Sequence, residues 1–141
     1  MKNISIAKRG IGRAARWLQS AERAIEDERW DDVVYSSQMA VEHSAKAVLI
    51  SLGIDFPKEH DVSDALLQIQ EVPNLPQWFR IEIGSIADMV AELAEQRGLA
   101  GYGFEEGIDE TYFKDYAPEA LEKAKRVHTL CKKFIEETFQ M

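Results

Sequence analysis

The sequence predicts an all-α protein, an antiparallel up-and-down bundle of four long helices plus one short helix. Apolar residues recur at three- and four-residue steps, no segment shows the polar–apolar alternation of a strand, and four prolines divide the chain into blocks of helical length. The chain has 141 residues, of which 45% are hydrophobic and 30% charged, and this composition suits one globular domain. We expect that domain to span residues 1–141.

The first two predicted helices, residues 4–28 and 30–52, pack antiparallel because a very short connection joins them. Gly10 and Gly12 weaken the start of the first helix, so we expect a break or a frayed turn there. The second helix has a wide face of apolar and small residues, which is typical of a central, heavily buried helix, and Gly53 ends it.

A short helix, a long helix, a glycine-rich loop and a last helix follow. Asp61 or Ser63 can cap the short helix, and residues 77–97 form the fourth helix. Residues 98–117 contain four glycines and five aromatic residues, and a loop of this length is more often functional or interfacial than a simple connection. Pro118 suits the first turn of the last helix, where its missing N–H costs little.

The net charge of −8 disfavours non-specific nucleic-acid binding, because phosphate binding depends on basic surface. The charge is nevertheless uneven, since no acid precedes Glu22 and several acids follow residue 104. The basic N-terminal residues are Lys2, Lys8, Arg9, Arg13 and Arg16. They predict either a patch for an anion or an acidic partner, or an ordinary solvated helix face.

The sequence predicts no cofactor, no metal site and no membrane contact. Three scattered histidines and one cysteine do not form a metal-ligand pattern, and no phosphate-binding glycine loop is present. Cys131 has no partner for an intramolecular disulfide, and the sequence shows neither a signal peptide nor an apolar run of membrane-spanning length. We therefore expect a cytoplasmic protein with Cys131 inert in its core.

The second helix carries the residues that point to a family. Its segment Gln38-Met-Ala-Val-Glu42-His-Ser-Ala-Lys46 resembles the signature of the HEPN domain (higher eukaryotes and prokaryotes nucleotide-binding). The segment from Trp17 to Tyr35, His60 before the short helix, and residues 112–120 before the last helix are also similar to the family. The resemblance covers nearly the whole chain and implies a helical bundle that is usually a homodimer.

The resemblance implies one of three roles. Many HEPN proteins are metal-independent ribonucleases. Others are the small partners of minimal nucleotidyltransferases, encoded beside them and acting as toxin and antitoxin. A third group has lost catalysis and serves in binding or as a scaffold.

The nuclease members carry an Arg followed, after four to six residues, by a His. In this chain Arg97 stands at the Arg position, and Tyr102 occupies the His position. Because its unperturbed pKa is about 10, a Tyr is a poor general base at pH 7, whereas a His suits that role. Arg97 can still bind a phosphate, and Tyr102 can still stack on a base. The pattern predicts a nucleotide- or RNA-binding module, or a nucleotidyltransferase partner, with a degenerate nuclease motif and no catalytic residue.

The candidate ligand-binding residues are Arg97, Tyr102, Glu42 and Lys46, although the four-residue spacing of the last two predicts a plain helical ion pair. Two alternatives stay open. A ribonuclease toxin would use Arg97 with His43 or Tyr102 as a substitute base, and it requires a His within reach of Arg97. A non-catalytic dimeric scaffold would have Arg97 fully paired within its own chain.

Three further expectations concern residues outside this set. His60 should stabilise the turn before the short helix. His128 has no carboxylate at a spacing that would make it part of a proton relay. Tyr112, Phe113 and Tyr116 form either an oligomer interface or simple loop packing.

Overall fold

Five α-helices build the structure, a computed structural model that describes residues 3–139. The helices are α1 (Ile4–Glu26), α2 (Trp30–Leu52), α3 (Ser63–Gln68), α4 (Gln77–Tyr102) and α5 (Ala117–Phe139). Short 3-10 helices span Ile69–Glu71, Gly103–Glu106 and Glu110–Phe113. Residues 3–139 contain no strand, so the predicted bundle of four long helices and one short helix is confirmed.

Helix α2 lies at the centre of the bundle and packs against α1, α4 and α5. Its buried residues occur on nearly every side of the helix, which confirms the prediction from its wide apolar face. Gly53 ends the helix with a left-handed φ of 72°, a conformation that glycine adopts without steric cost. The rings of Phe79 and Phe134 stack with centroids 4.3 Å apart and join α4 to α5.

Helix α1 is continuous from Ile4, so the predicted break at Gly10 and Gly12 is wrong. Gly10 faces α2, and a Cβ atom there would lie 3.2 Å from the Cβ of Ala47. The missing side chain lets the two helices approach closely, and this packing supports a helix start that intrinsic propensity disfavours. The helix also ends two residues earlier than predicted, and Glu28 beyond it has a positive φ of 60°.

The segment predicted as a loop after residue 97 is largely helical. Helix α4 continues through Tyr102, and two 3-10 turns follow it. The N–H of Ile108 donates to the carbonyl of Gly103 at 3.0 Å, and Phe113 is buried in the core. The glycines predicted irregular structure because glycine has a poor helix propensity. Helix propensity is only a weak guide, and tertiary packing overrides it in this segment.

The predicted cap of the short helix is wrong, because Val62 occupies the N-cap position of α3 and makes no side-chain cap hydrogen bond within the described residues. The side chain of Asp61, one residue earlier, accepts a hydrogen bond from the N–H of Ser63 at 2.9 Å. Pro118 lies in the first turn of α5, as predicted. Within the part of the chain that the structure describes, no helix is long and apolar enough to cross a membrane.

Candidate ligand site along helix α2

One face of α2 carries a row of polar side chains, Tyr35, Gln38, Glu42 and Lys46. Steps of three and four residues at about 100° per residue place all four within a sector of about 80°. Gln38 and Glu42 are buried, with exposed fractions of 1% and 5%. The row therefore forms a polar strip along the buried central helix, and its buried polar groups need partners.

Three donors converge on the carboxylate of Glu42. Nε2 of Gln38 donates to Oε1 at 3.0 Å, Nζ of Lys46 donates to Oε2 at 2.8 Å, and Nδ1 of His60 lies 2.6 Å from Oε1. The ion pair predicted from the spacing of Glu42 and Lys46 is thus present. The network also ties the loop before α3 to the central helix.

The pKa of Glu42 lies below its ordinary value. Burial is the largest single influence and raises the pKa, but the hydrogen bonds from Lys46, Gln38 and His60 together outweigh it. Because Glu42 is therefore ionised, Nδ1 of His60 must carry the proton between them. Half of the His60 side chain is exposed, so the network around Glu42 reaches the surface at this residue.

The link between His60 and Glu42 was not found from the sequence, which assigned His60 to the turn before the short helix. The two residues lie 18 positions apart in different elements. No local pattern joins such residues, because their contact depends on how the loop folds back over α2. The signal available in the sequence was that Glu42 and His60 each lie in a segment that resembles the HEPN family.

Arg97 contacts Tyr35 at the other end of the polar row. Nη2 of Arg97 donates to Oη of Tyr35 at 2.9 Å, and the guanidinium carbon lies 4.6 Å from the ring centroid. Nε of Arg97 is buried and has no hydrogen-bond partner within residues 3–139. No carboxylate in the same range forms an ion pair with Arg97. The guanidinium is therefore oriented by a neutral partner and keeps its charge.

Tyr102 does not share the surroundings of Arg97. The two residues are five positions apart on α4, a rotation of about 140° around the helix axis. Tyr102 is 62% exposed and lines a shallow recess of about 390 Å³ with Glu95, Glu105 and Glu106. The structure thus brings Arg97 to Tyr35, and Glu42 to Lys46 and His60, but places Tyr102 among carboxylates.

One open recess, of about 360 Å³, adjoins Tyr35 and is lined by Tyr35, Asp31, Ala100 and Glu110. The ion pair of Arg29 and Asp32 lines this recess and also a larger groove of about 750 Å³ along α1 and the start of α2.

The larger groove is lined in part by the basic N-terminal helix α1. It is lined by Arg16, Arg23, Trp17 and Ser36, together with the acids Glu22 and Glu26. The ring of Trp17, which lines the groove, lies 6.4 Å from the ring of Tyr35, the residue that contacts Arg97. Of the basic residues predicted for this stretch, Lys2 lies outside the described residues.

None of the three histidines hydrogen-bonds with Arg97 in the described part of the chain. His60 is tied to Glu42, which lies about 10 Å along α2 from Tyr35. Burial lowers the pKa of both His43 and His128, and the charge of Glu42 raises that of His43 less strongly. Nε2 of His128 is buried without a partner within residues 3–139.

The remaining acidic, histidine and thiol side chains lie apart from one another within residues 3–139. The described residues contain no cluster of three or more side chains that could hold a metal ion. Cys131 is fully buried, and burial raises the pKa of its thiol to about 12, which agrees with an inert core residue. Phe113 packs in the core, Tyr116 donates to Glu92 at 2.6 Å, and Tyr112 is exposed.

The helical bundle and the polar row of α2 are features of one class of protein. Residues 7–134 match the family model of the HEPN domain, and the chain belongs to this family. Putative toxin MJ1304 of Methanocaldococcus jannaschii is 30% identical to the chain in an alignment that covers 97% of this chain and 93% of that protein. No solved structure matches the chain.

Proposed function

We propose that this HEPN chain is a binding module that holds the phosphate of a nucleotide or of an RNA at Arg97 and does not cleave RNA. The observation that carries the proposal is the state of Arg97, which Tyr35 orients and no carboxylate neutralises within the described residues. A guanidinium binds a phosphate through parallel, charge-assisted hydrogen bonds. A scaffold would instead have Arg97 fully paired within the chain, whereas its buried Nε has no hydrogen-bond partner within residues 3–139.

The absence of cleavage follows from the groups near Arg97. Cleavage of RNA through its 2′-hydroxyl needs a base within hydrogen-bond reach of that hydroxyl. Tyr102 points away from Arg97, and His60 bonds to Glu42, which lies about 10 Å along α2 from Tyr35. Binding therefore fits the site better than catalysis.

The groove beside Trp17 supports a ligand that is larger than a free phosphate. Its volume of about 750 Å³ falls in the range of small-molecule sites, roughly 300–1,000 Å³. Trp17 offers a face for base stacking, and Arg16 and Arg23 offer further cations. A nucleotide or a short single-stranded RNA segment matches this combination.

A second candidate is a metal-independent ribonuclease toxin, favoured by the name of the relative from Methanocaldococcus jannaschii. In that case His43 or Tyr102 reaches Arg97 in the folded dimer. A homodimer and a minimal nucleotidyltransferase partner, both of which the family resemblance implies, fit the binding module as well as the ribonuclease. A cytoplasmic location fits both candidates, because Cys131 is a free, buried thiol.

Calorimetric titration with ADP and with a short single-stranded RNA tests the proposal. We expect Arg97→Ala to weaken binding at least about tenfold, because one charge-assisted phosphate contact is lost. Arg126→Ala is the matched control, since Arg126 is an exposed arginine on α5 that pairs with Glu82, roughly 22 Å along α4 from Arg97. Equal affinity of the Arg97→Ala variant and the wild type would refute the proposal.

A further inference from the structure

Four arginines of helix α1 lie in a stripe along its exposed side. Steps of four, three and seven residues, at about 100° per residue, place all four within a sector of about 80° and over a length of about 21 Å. We name these residues the arginine stripe: Arg9, Arg13, Arg16 and Arg23. All four are exposed, whereas the opposite side of α1 is buried against the rest of the bundle.

No carboxylate pairs with the arginine stripe within the part of the chain that the structure describes. None of its four guanidinium groups forms an ion pair there. Arg9 donates to the hydroxyl oxygen of Ser5 at 3.2 Å, and this neutral partner leaves the charge of Arg9 in place. On α5, by contrast, three cations form ion pairs: Lys123, Lys125 and Arg126.

The acidity of the whole chain does not cancel this local positive charge. Residues 4–21 contain four basic residues and no acid, and the first acids of α1 are Glu22 and Glu26. At physiological salt, exposed charges more than about 8 Å apart are largely screened from each other. An anion at the stripe therefore meets the four cations and not the net charge of −8.

A shared groove links the arginine stripe to the site proposed at Arg97. Arg16 and Arg23 line the groove of about 750 Å³ together with Trp17. The ring of Trp17 lies 6.4 Å from that of Tyr35, and Oη of Tyr35 accepts a hydrogen bond from Arg97 at 2.9 Å. Cations and aromatic rings thus follow one another from Arg97 to the stripe.

Building on the function proposed at Arg97, we propose that the arginine stripe holds the backbone of a single-stranded RNA. The ligand is then a strand and not a free nucleotide. Arg9 lies about 12 Å along α1 from Trp17, beyond the groove in which a single nucleotide would sit. Phosphates of a stacked strand follow one another at about 3.4 Å, so the stripe of about 21 Å spans about six of them.

An RNA strand fits this surface better than an acidic protein does. A guanidinium matches the geometry of a phosphate and binds it through two parallel hydrogen bonds. Trp17 lies beside the stripe and offers a ring on which a base can stack, and such stacking stabilises single-stranded complexes without regard to sequence. A strand uses both the row of cations and the ring, whereas an acidic peptide uses the cations alone.

The salt dependence of binding tests the proposal, with a fluorescently labelled oligouridine of about twelve nucleotides between about 50 and 200 mM salt. For Arg9→Gln with Arg13→Gln, we expect the plot of log K against log salt to become shallower by roughly 1.4, about 0.7 for each lost phosphate contact. Affinity at the lowest salt should fall at least about fivefold. The matched control, Lys132→Gln with Lys133→Gln, removes the same charge from exposed lysines of α5 and should keep the wild-type slope.

Titration with ADP separates the arginine stripe from the site at Arg97. We expect the double variant at Arg9 and Arg13 to bind ADP like the wild type, because a free nucleotide does not reach beyond the groove. If the double variant kept the wild-type salt slope while Arg97→Ala weakened ADP binding, the stripe would be refuted and the Arg97 site would stand. Displacement of the RNA by polyglutamate of equal length and concentration would assign the stripe to an acidic protein and also refute it. A wild type that bound neither ADP nor RNA would refute both.

Discussion

The phenol oxygen of Tyr35 accepts a hydrogen bond from Nη2 of Arg97 at 2.9 Å, and this contact joins the central helix α2 to α4. The same ring lies beside the guanidinium carbon at 4.6 Å. A phenol is neutral at pH 7, so it fixes the direction of the cation without cancelling its charge. A site that must bind an anion needs this combination of orientation and remaining charge.

Replacing Tyr35 by Phe tests the role of this contact. The variant keeps the ring that packs against Trp17 and Arg97 and loses only the oxygen. We expect the free energy of unfolding to fall by about 1 kcal/mol and phosphate-ligand affinity to fall roughly three- to tenfold, because Arg97 loses its fixed direction. Urea unfolding and calorimetry measure the two effects. Tyr112→Phe, at an exposed tyrosine, is the control and should change neither. Wild-type affinity in Tyr35→Phe would contradict the assigned role.

Glu42 should make the stability of the protein depend on pH. Its pKa is lower in the folded chain than in the unfolded chain, where an ordinary Glu has a pKa of about 4.3. The ionised carboxylate therefore stabilises the fold above the unfolded pKa, and this contribution disappears as the pH falls through the folded pKa.

The variant Glu42→Gln isolates this contribution. At pH 7 we expect it to lower the free energy of unfolding by about 1–3 kcal/mol, since the bonds from Lys46 and His60 lose their charged acceptor. Urea unfolding between pH 7 and pH 3 should show the gap from the wild type narrowing below about pH 4. The exposed Glu136→Gln on α5 is the control. A gap of constant size across this range would show that Glu42 does not titrate as described.

The contact of α1 with α2 can be tested at its two glycines. A Cβ at Gly10 meets Ala47 at 3.2 Å, whereas a Cβ at Gly12 meets nothing within 4 Å. We expect Gly10→Val to lower the free energy of unfolding by about 1–3 kcal/mol through overpacking. Gly12→Val should be nearly neutral, and Gly12→Ala should stabilise by about 0.5–1 kcal/mol through helix propensity. Thermal denaturation of the three variants checks the order, and equal effects of valine at both positions would rule out the close contact.

Periodicity was enough to predict the helices because it is a local property of the chain. The ion pair of Glu42 and Lys46 could be predicted for the same reason, since a spacing of four residues places both on one helix face. The glycines near the start of α1 misled the prediction, because packing against Ala47 outweighs their poor propensity. Local signals therefore identify elements more reliably than they locate the ends of those elements.

The surroundings of the candidate site depend on contacts that no local pattern contains. Arg97 and Tyr102 lie close in the sequence and were both predicted to bind the ligand, yet the extension of α4 turns them to different sides. Tyr35 reaches Arg97 from 62 positions away, and His60 reaches Glu42 from a loop. Such pairs become visible only when the packing of α2 against its neighbours is known.

The central claim, binding at Arg97 without cleavage, is tested most directly by incubating the purified protein with end-labelled single-stranded RNA in EDTA. Intact RNA is resolved from cleaved RNA, and bound RNA from free RNA, for the wild type and for Arg97→Ala. We expect the RNA to stay intact with both proteins and the bound fraction to fall sharply for the variant. RNA cleavage by the wild type that disappears in Arg97→Ala would contradict the claim and identify the chain as a ribonuclease.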